Sequence, residues 1–207
     1  MRTYPDVRFR ELGSEADRAR QLLDDSRFAE ARDAFTAVRA RAAKLGLDSA
    51  YLAWSLAIAL DMNEETEMAF KVIEEAIAKD PLNPQAQRSF AIIAGKLRQA
   101  VADGARAAGD PSIARVYRLL LEAGEADVAC HIGMARHLGA TGDHAAALKL
   151  LDAVTLLAPV SRDAWLAKAA AARASGDEAL AAEGDGHAAA RATTDVPFGI
   201  PGARGEC

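Results

Sequence analysis

Apolar residues recur along the chain at intervals of three and four. Leu52, Leu56, Ala59 and Leu60 form one such run, Met68, Val72, Ile73, Ala76 and Ile77 a second, and Leu148, Leu151, Val154 and Leu157 a third. This is the spacing that lines up one face of an α-helix, and no comparable alternation of period two accompanies it. Capping residues mark where the helices start. Asn83-Pro84 and Asp110-Pro111 place a side-chain acceptor before a proline whose fixed φ suits a first turn, and Asp143 and Asp177 follow Gly142 and Gly176 as further caps. Together these signals predict helices near 14–25, 29–45, 49–61, 65–79, 84–102, 111–123, 126–140, 144–157, 162–174 and 178–191. Residues 1–13 read as an N-terminal extension, 103–110 as a Gly-Ala loop, and 192–207, with Pro197 and Pro201, as a flexible tail. The glutamates of Glu67/Lys71 and Glu75/Lys79 precede their lysines by four, the favourable order on an exposed helix face.

Composition strengthens the all-α reading. About a quarter of the residues are alanine, the best helix former, while aromatic residues are 5% of the chain. The 25 basic and 30 acidic residues give a net charge of −5, so no global field draws the chain to nucleic acid or an anionic membrane. No uncharged apolar stretch is long enough to span a bilayer, and the residues after Met1 run into charge rather than a signal-peptide core. The two cysteines, Cys130 and Cys207, make no disulfide framework and no Cys-x-x-Cys pair, which fits a reducing cytoplasm.

Self-comparison changes the architecture. Segment 50–83 carries Leu56-Ala57, Leu60, Ala69, Ile73, Ala76 and Pro81. Segment 128–161 carries Met134-Ala135, Leu138, Ala147, Leu151, Val154 and Pro159 at the same offsets. Each unit has the makings of two antiparallel helices, with small residues allowing close approach, larger ones filling the seam and a proline stopping the second helix. Residues 15–45 fit the register through Ala19, Leu22, Phe28, Ala31 and Phe35, and residues from Trp165 to Ala179 fit it again. The stretch 84–127 joins through Phe90 and Ala91 but carries about ten extra residues before Ala114, Tyr117 and Leu121.

On these residues the chain resembles the tetratricopeptide-repeat family over 14–191. The resemblance implies a right-handed α-solenoid of antiparallel helix pairs, about five units of which one is divergent. It also implies that the first helix of each unit lines a concave face. Carrying the family's first-helix positions over gives Arg20 and Leu23, then Tyr51, Trp54, Ile58 and Asp61, then Gln85, Arg88, Ile92 and Lys96, then Ile132 and Arg136, and last Leu166 and Arg173. That set is mixed apolar and basic, suited to an extended or helical partner peptide with apolar and acidic residues. Where the family's clamp for C-terminal carboxylates has lysine and asparagine, this chain has Trp54 and Ile58, so that specificity is not expected. Segment 50–83, with two basic and seven acidic residues, predicts acid on the outer helices.

Catalytic and metal readings find little support. Cys130 and His137 lie on one helical face while His131 points elsewhere, and no carboxylate completes a ligand set. His144 beside Asp143 reads as first-turn surface, and Glu183, Asp185 and His187 as the polar coat of a capping helix. Gly184-Asp185-Gly186 lacks the preceding strand that a phosphate-binding loop requires. The apolar island Val196-Pro197-Phe198-Gly199-Ile200-Pro201 reads as a peptide that docks on a partner or in the groove, or as an untidy terminus. The expected function is a non-catalytic cytoplasmic scaffold or adaptor with no cofactor and no metal, able to self-associate. A chaperone-like protein shielding a secreted or assembly-prone client is the alternative, and a grafted enzyme site comes third.

Overall fold

The computed structural model describes residues 7–103 and 110–192. Ten helices and no strand occur among them: α1 (Val7–Asp24), α2 (Phe28–Lys44), α3 (Ala50–Met62), α4 (Thr66–Lys79), α5 (Pro84–Ala102), α6 (Pro111–Glu122), α7 (Val128–Ala140), α8 (His144–Leu157), α9 (Arg162–Ser175) and α10 (Glu178–Ala192). Nine of the ten lie within two residues of the positions the sequence predicts at both ends. The exception is α1, which begins at Val7 and buries Leu12 against Val38, Ala42 and Leu52, so helix reaches into the expected N-terminal extension. The six residues of the Gly-Ala loop, 104–109, and the tail from 193 with its Val196–Pro201 island lie outside the described residues.

The capping logic holds at each predicted start. Asn83 Oδ1 accepts from the amides of Gln85 and Ala86, Asp110 from Ser112, Asp143 from Ala146 and Asp177 from Leu180. Ser49, Asp127 and Ser161 cap α3, α7 and α9 in the same way. Each cap satisfies one of the amide donors that a helix start leaves open, worth about 1 kcal/mol.

The chain forms two compact units, Met1–Leu97 and Arg98–Cys207, with α5 shared across the boundary. In the first, α1 packs on α2, α2 on α3 and α3 on α4, and α1 also reaches α3. In the second, α6 packs on α7, α7 on α8, α8 on α9 and α9 on α10, with α7 also meeting α9. Consecutive helices joined by short turns and packed side by side run antiparallel. The fold is therefore all-α, of the α-solenoid class of stacked helix pairs. Alanine makes the close packing possible: Ala57, Ala69 and Ala76 in the first unit and Ala135 and Ala147 in the second are essentially sealed from solvent. The tightest approach is at Gly133 on α7, where a Cβ would stand 2.1 Å from the Val101 carbonyl oxygen of α5.

Acid does not mark the second helices as a class: α4 carries three acidic and two basic residues but α2 two acidic and four basic, and Glu75 and Lys79 reach away from α4 rather than toward each other. The Arg39 guanidinium donates to both Asp48 oxygens at 3.0 and 2.9 Å and to Glu75 at 2.7 Å, and Lys79 Nζ donates to Asp48 at 2.8 Å. This fork ties α2, the turn before α3, and α4. Hydrogen bonds from Arg39 and then Lys79 hold the Asp48 carboxyl down to about 2, against 3.8 ordinarily. A carboxyl whose pKa is lowered on folding stabilises the fold above its unfolded pKa, and that stability disappears as pH falls through the folded value. Asp48→Asn is therefore expected to lose about 2 kcal/mol at neutral pH. Urea titrations at pH 7 and at successively lower pH should show the variant and the parent converging between about pH 4 and pH 2. A constant gap across that range would show that the carboxylate is not what stabilises this junction.

Candidate functional site

The first unit brings most of the predicted first-helix residues together. A cleft of about 140 Å³ opens between α1 and α3, with Arg20, Leu23 and Asp24 on one wall and Tyr51, Trp54 and Ile58 on the other. Phe35 of α2 and Ser55 form its floor. The helical period explains the second wall: Tyr51, Trp54, Ser55 and Ile58 stand at successive intervals of three, one and three, so one stripe of α3 supplies them all. Leu52, Leu56 and Leu60 on the opposite stripe are buried in the seams between helices.

Polar contacts tie these walls to their neighbours. Arg20 Nη1 donates to Tyr51 Oη at 3.2 Å across the cleft, and that contact, with the charge of Asp24, favours the protonated guanidinium. The Tyr51 and Trp54 rings lie 6.0 Å apart at 49°. Trp54 is half-buried rather than in the seam, and its Nε1 donates to Ser89 Oγ of α5 at 3.0 Å. Phe70 of α4 and Phe90 of α5, 5.3 Å apart, anchor α5 from the other side. Thus α5 presents Gln85, Arg88, Ile92 and Lys96 along one ridge next to Ser89. Ile92 is 54% exposed between two cations. Lys96 is not a free cation, since its Nζ meets Asp61 Oδ2 at 2.6 Å. Arg88 has no ion-pair partner among the described residues.

The second unit treats its candidates differently. Ile132 is buried, not groove-lining: it packs in a cluster with Ala135, Ala147, Leu151, Val154, Ala164 and Ala167. Its equivalent in the first unit is the larger Trp54, which faces Ala86 and Ser89 in the register where Ile132 faces Ala164 and Ala167, so the difference is the size of the side chain itself, and the isoleucine fits within the packing. Arg173 lies on the α10 side of α9 and pairs with Asp185 at 2.5 Å, which makes it a helix-to-helix tie. Leu166 is part-exposed at the surface of α9. Arg136 is exposed and lines a separate cleft of about 190 Å³ with Ala135 and Gly139 of α7, His144 and Leu151 of α8, and a row of alanines on α9.

Several residues play parts the sequence reading missed. His144 turns into this second cleft rather than onto the surface, and its Nδ1 is buried with no hydrogen-bond partner. Asp24, next in the chain to the predicted Leu23, also lines the first cleft. Ser89 was detectable, since it stands one thirty-four-residue repeat after the buried Ser55 and so occupies the matching first-helix position. His187 is not a polar coat: it stacks on Trp165 with centroids 4.1 Å apart, and Arg191 lies over the same indole at 5.2 Å. Trp165 itself is buried and donates to the Pro159 carbonyl at 2.9 Å.

The remaining chemistry-bearing groups are held in packing. Cys130 is fully buried, with Sγ 3.7 Å from the Arg98 carbonyl, and burial pushes its thiol up to about 11. His131 Nδ1 is 2.6 Å from Tyr117 Oη, and burial lowers its pKa. Among the described residues no three His, Cys, Asp or Glu side chains are placed to hold a metal ion. No described helix is long and apolar enough to cross a membrane.

No family model and no curated protein matches the chain. Among solved structures it is similar to MamA AMB-1, at 14% identity over 89% of this chain and 99% of that chain, with a TM-score of 0.40. MamA MSR-1 is 15% identical, over 89% of this chain and 98% of that one, with a TM-score of 0.42. Superposition this loose does not bear on function, and the fold stated above rests on the chain's own helix packing.

Proposed function

We propose that this chain is a non-catalytic scaffold that holds a peptide segment of a partner protein along the first helices of its repeats. The observation that carries the reading is the α1/α3 cleft. It is a half-buried indole and a tyrosine beside Arg20, continued on α5 by an exposed isoleucine with Arg88 one turn before it. Aromatic anchors and arginine in a partly desolvated hollow are the groups that most often dominate protein–protein affinity. The partner segment on this reading carries apolar side chains and acidic groups, and the encounter takes place in the cytoplasm without nucleic acid or membrane. A chaperone-like role is the second reading. Its support is a separate patch at the end of α8, where Leu156, Leu157 and Val160 are each about 80% exposed in a stretch without charge.

Affinity purification of the full chain from its host at low salt, repeated with Trp54→Ala and with Arg88→Glu, tests the first reading. Each substitution should lower recovery of the partner by about tenfold or more, since a truncated hot-spot aromatic costs about 2 kcal/mol. Arg88→Glu tests the charge without disturbing the core, because Arg88 is exposed. Undiminished recovery with both variants would remove the reading. A client whose solubility in co-expression falls on mutation of Leu156 and Leu157, and not of Trp54, would favour the second.

A further inference from the structure

The repeat supplies its own comparison for the cleft in the second unit. Aligning Leu56-Ala57 with Met134-Ala135 carries the register through Pro81 and Pro159 into α5 and α9, where Ala86 and Ala94 fall on Ala164 and Ala172, all four fully buried. In that register Ile92 and Ile93 correspond to Ala170 and Ala171, Lys96 to Ala174, and Asp61 to Gly139. In the first unit this space is filled. Ile93 is 1% exposed, and Lys96 and Asp61 are joined as an ion pair. In the second unit the same positions are cut back to alanine and glycine, and the cleft of about 190 Å³ lies there. Its floor is Leu151, the counterpart of Ile73. At its edge stands Arg136, exposed and without a carboxylate partner among the described residues, where the first unit has Ile58. The buried Nδ1 of His144 adds one unpaired polar atom to the lining.

We propose that this cleft is a second binding site, which takes one branched aliphatic side chain of a partner peptide with an acidic residue directly beside it. The aliphatic group replaces the isoleucine that the other unit supplies from its own chain, and its size follows from that replacement. The carboxylate answers Arg136, and a charge-assisted bond to guanidinium fixes the direction in which the peptide lies. The inference rests on the peptide-binding reading only in taking a peptide as the ligand. The site is assembled from α7, α8 and α9 alone and uses none of the residues of the α1/α3 cleft.

The test is a titration of the full chain, followed by amide NMR, with acetyl-Gly-Leu-Glu-Gly-amide. Shifts are expected at Ala171, Ala174 and Gly139. Replacing the probe's leucine by alanine should weaken binding by about tenfold, and replacing its glutamate by glutamine by about threefold. Ala171→Ile alone, and the triple change Gly139→Asp, Ala171→Ile and Ala174→Lys that restores the other unit's filling, should each weaken it tenfold or more without lowering the melting temperature. Trp54→Ala should leave these shifts in place, so a failed α1/α3 cleft and a failed α7/α9 cleft give different results. No shifts in the second unit, or equal affinity in the filled variants, would overturn the proposal.

Discussion

Gly133→Ala is expected to lower the stability of the chain by about 3 kcal/mol, the upper end of what overpacking costs. The cause is backbone against backbone. The added methyl would stand 2.1 Å from the Val101 oxygen and 2.8 Å from both the Val101 carbonyl carbon and the Ala102 Cα. None of these can rotate away as a side-chain tip would, so α7 must retreat from the end of α5 and open the packing around Cys130 and Ile132. Chemical denaturation of the variant should show a midpoint shifted to lower urea with little change in slope. Gly95→Ala is the matched control. It also adds a methyl within a helix, but no atom lies within 4 Å of the new Cβ, so the variant should gain up to about 1 kcal/mol from helix propensity. Equal effects from the two substitutions would mean that the α5/α7 contact is looser than the structure has it.

Phe70→Ala should cost the first unit more, about 3–5 kcal/mol. Phe70 is completely buried on α4, and it is the partner through which Phe90 ties α5 to the layer below. Truncation removes a large apolar surface, leaves a cavity and abolishes an aromatic pair at once. Phe70→Leu should recover much of the loss, since leucine refills most of the volume. Thermal unfolding of the three proteins should place the leucine variant between the others. A melting temperature for Phe70→Ala close to the parent's would show that the α4/α5 seam collapses around the vacancy.

Helix positions were legible in the sequence because they depend on residues near in the chain. Asn83, Asp110, Asp143 and Asp177 all cap as read, and the apolar period survives into the observed seams. The start of α1 was not, because Leu12 gains its place from Val38 and Leu52, far along the sequence. The same distinction divides the candidate site. Tyr51, Trp54 and Ile58 share a stripe of one helix, and α1 brings Arg20 to them through the repeat register that the sequence displays. Ile132 was misplaced because its exposure depends on the size of its own side chain within the packing, and the repeat register carries over position without volume. Arg173 was misplaced because its pairing with Asp185 depends on the turn between α9 and α10, not on the period of either. Glu64 and Gly142 show how little a repeated local form constrains identity. They occupy equivalent turns at φ 64° and 90°, and the glutamate tolerates a left-handed conformation that costs roughly 1–2 kcal/mol.

The dominant packing in each unit joins a helix to one no more than two places further along the chain. Only short loops must therefore close before burial begins to compensate for lost chain entropy, the circumstance in which folding is fast. A nascent chain emerging from the ribosome can settle α1 through α4 against one another while α7 is still untranslated. Synthesis itself thus imposes an order on assembly within each unit, with each new helix arriving beside one already laid down.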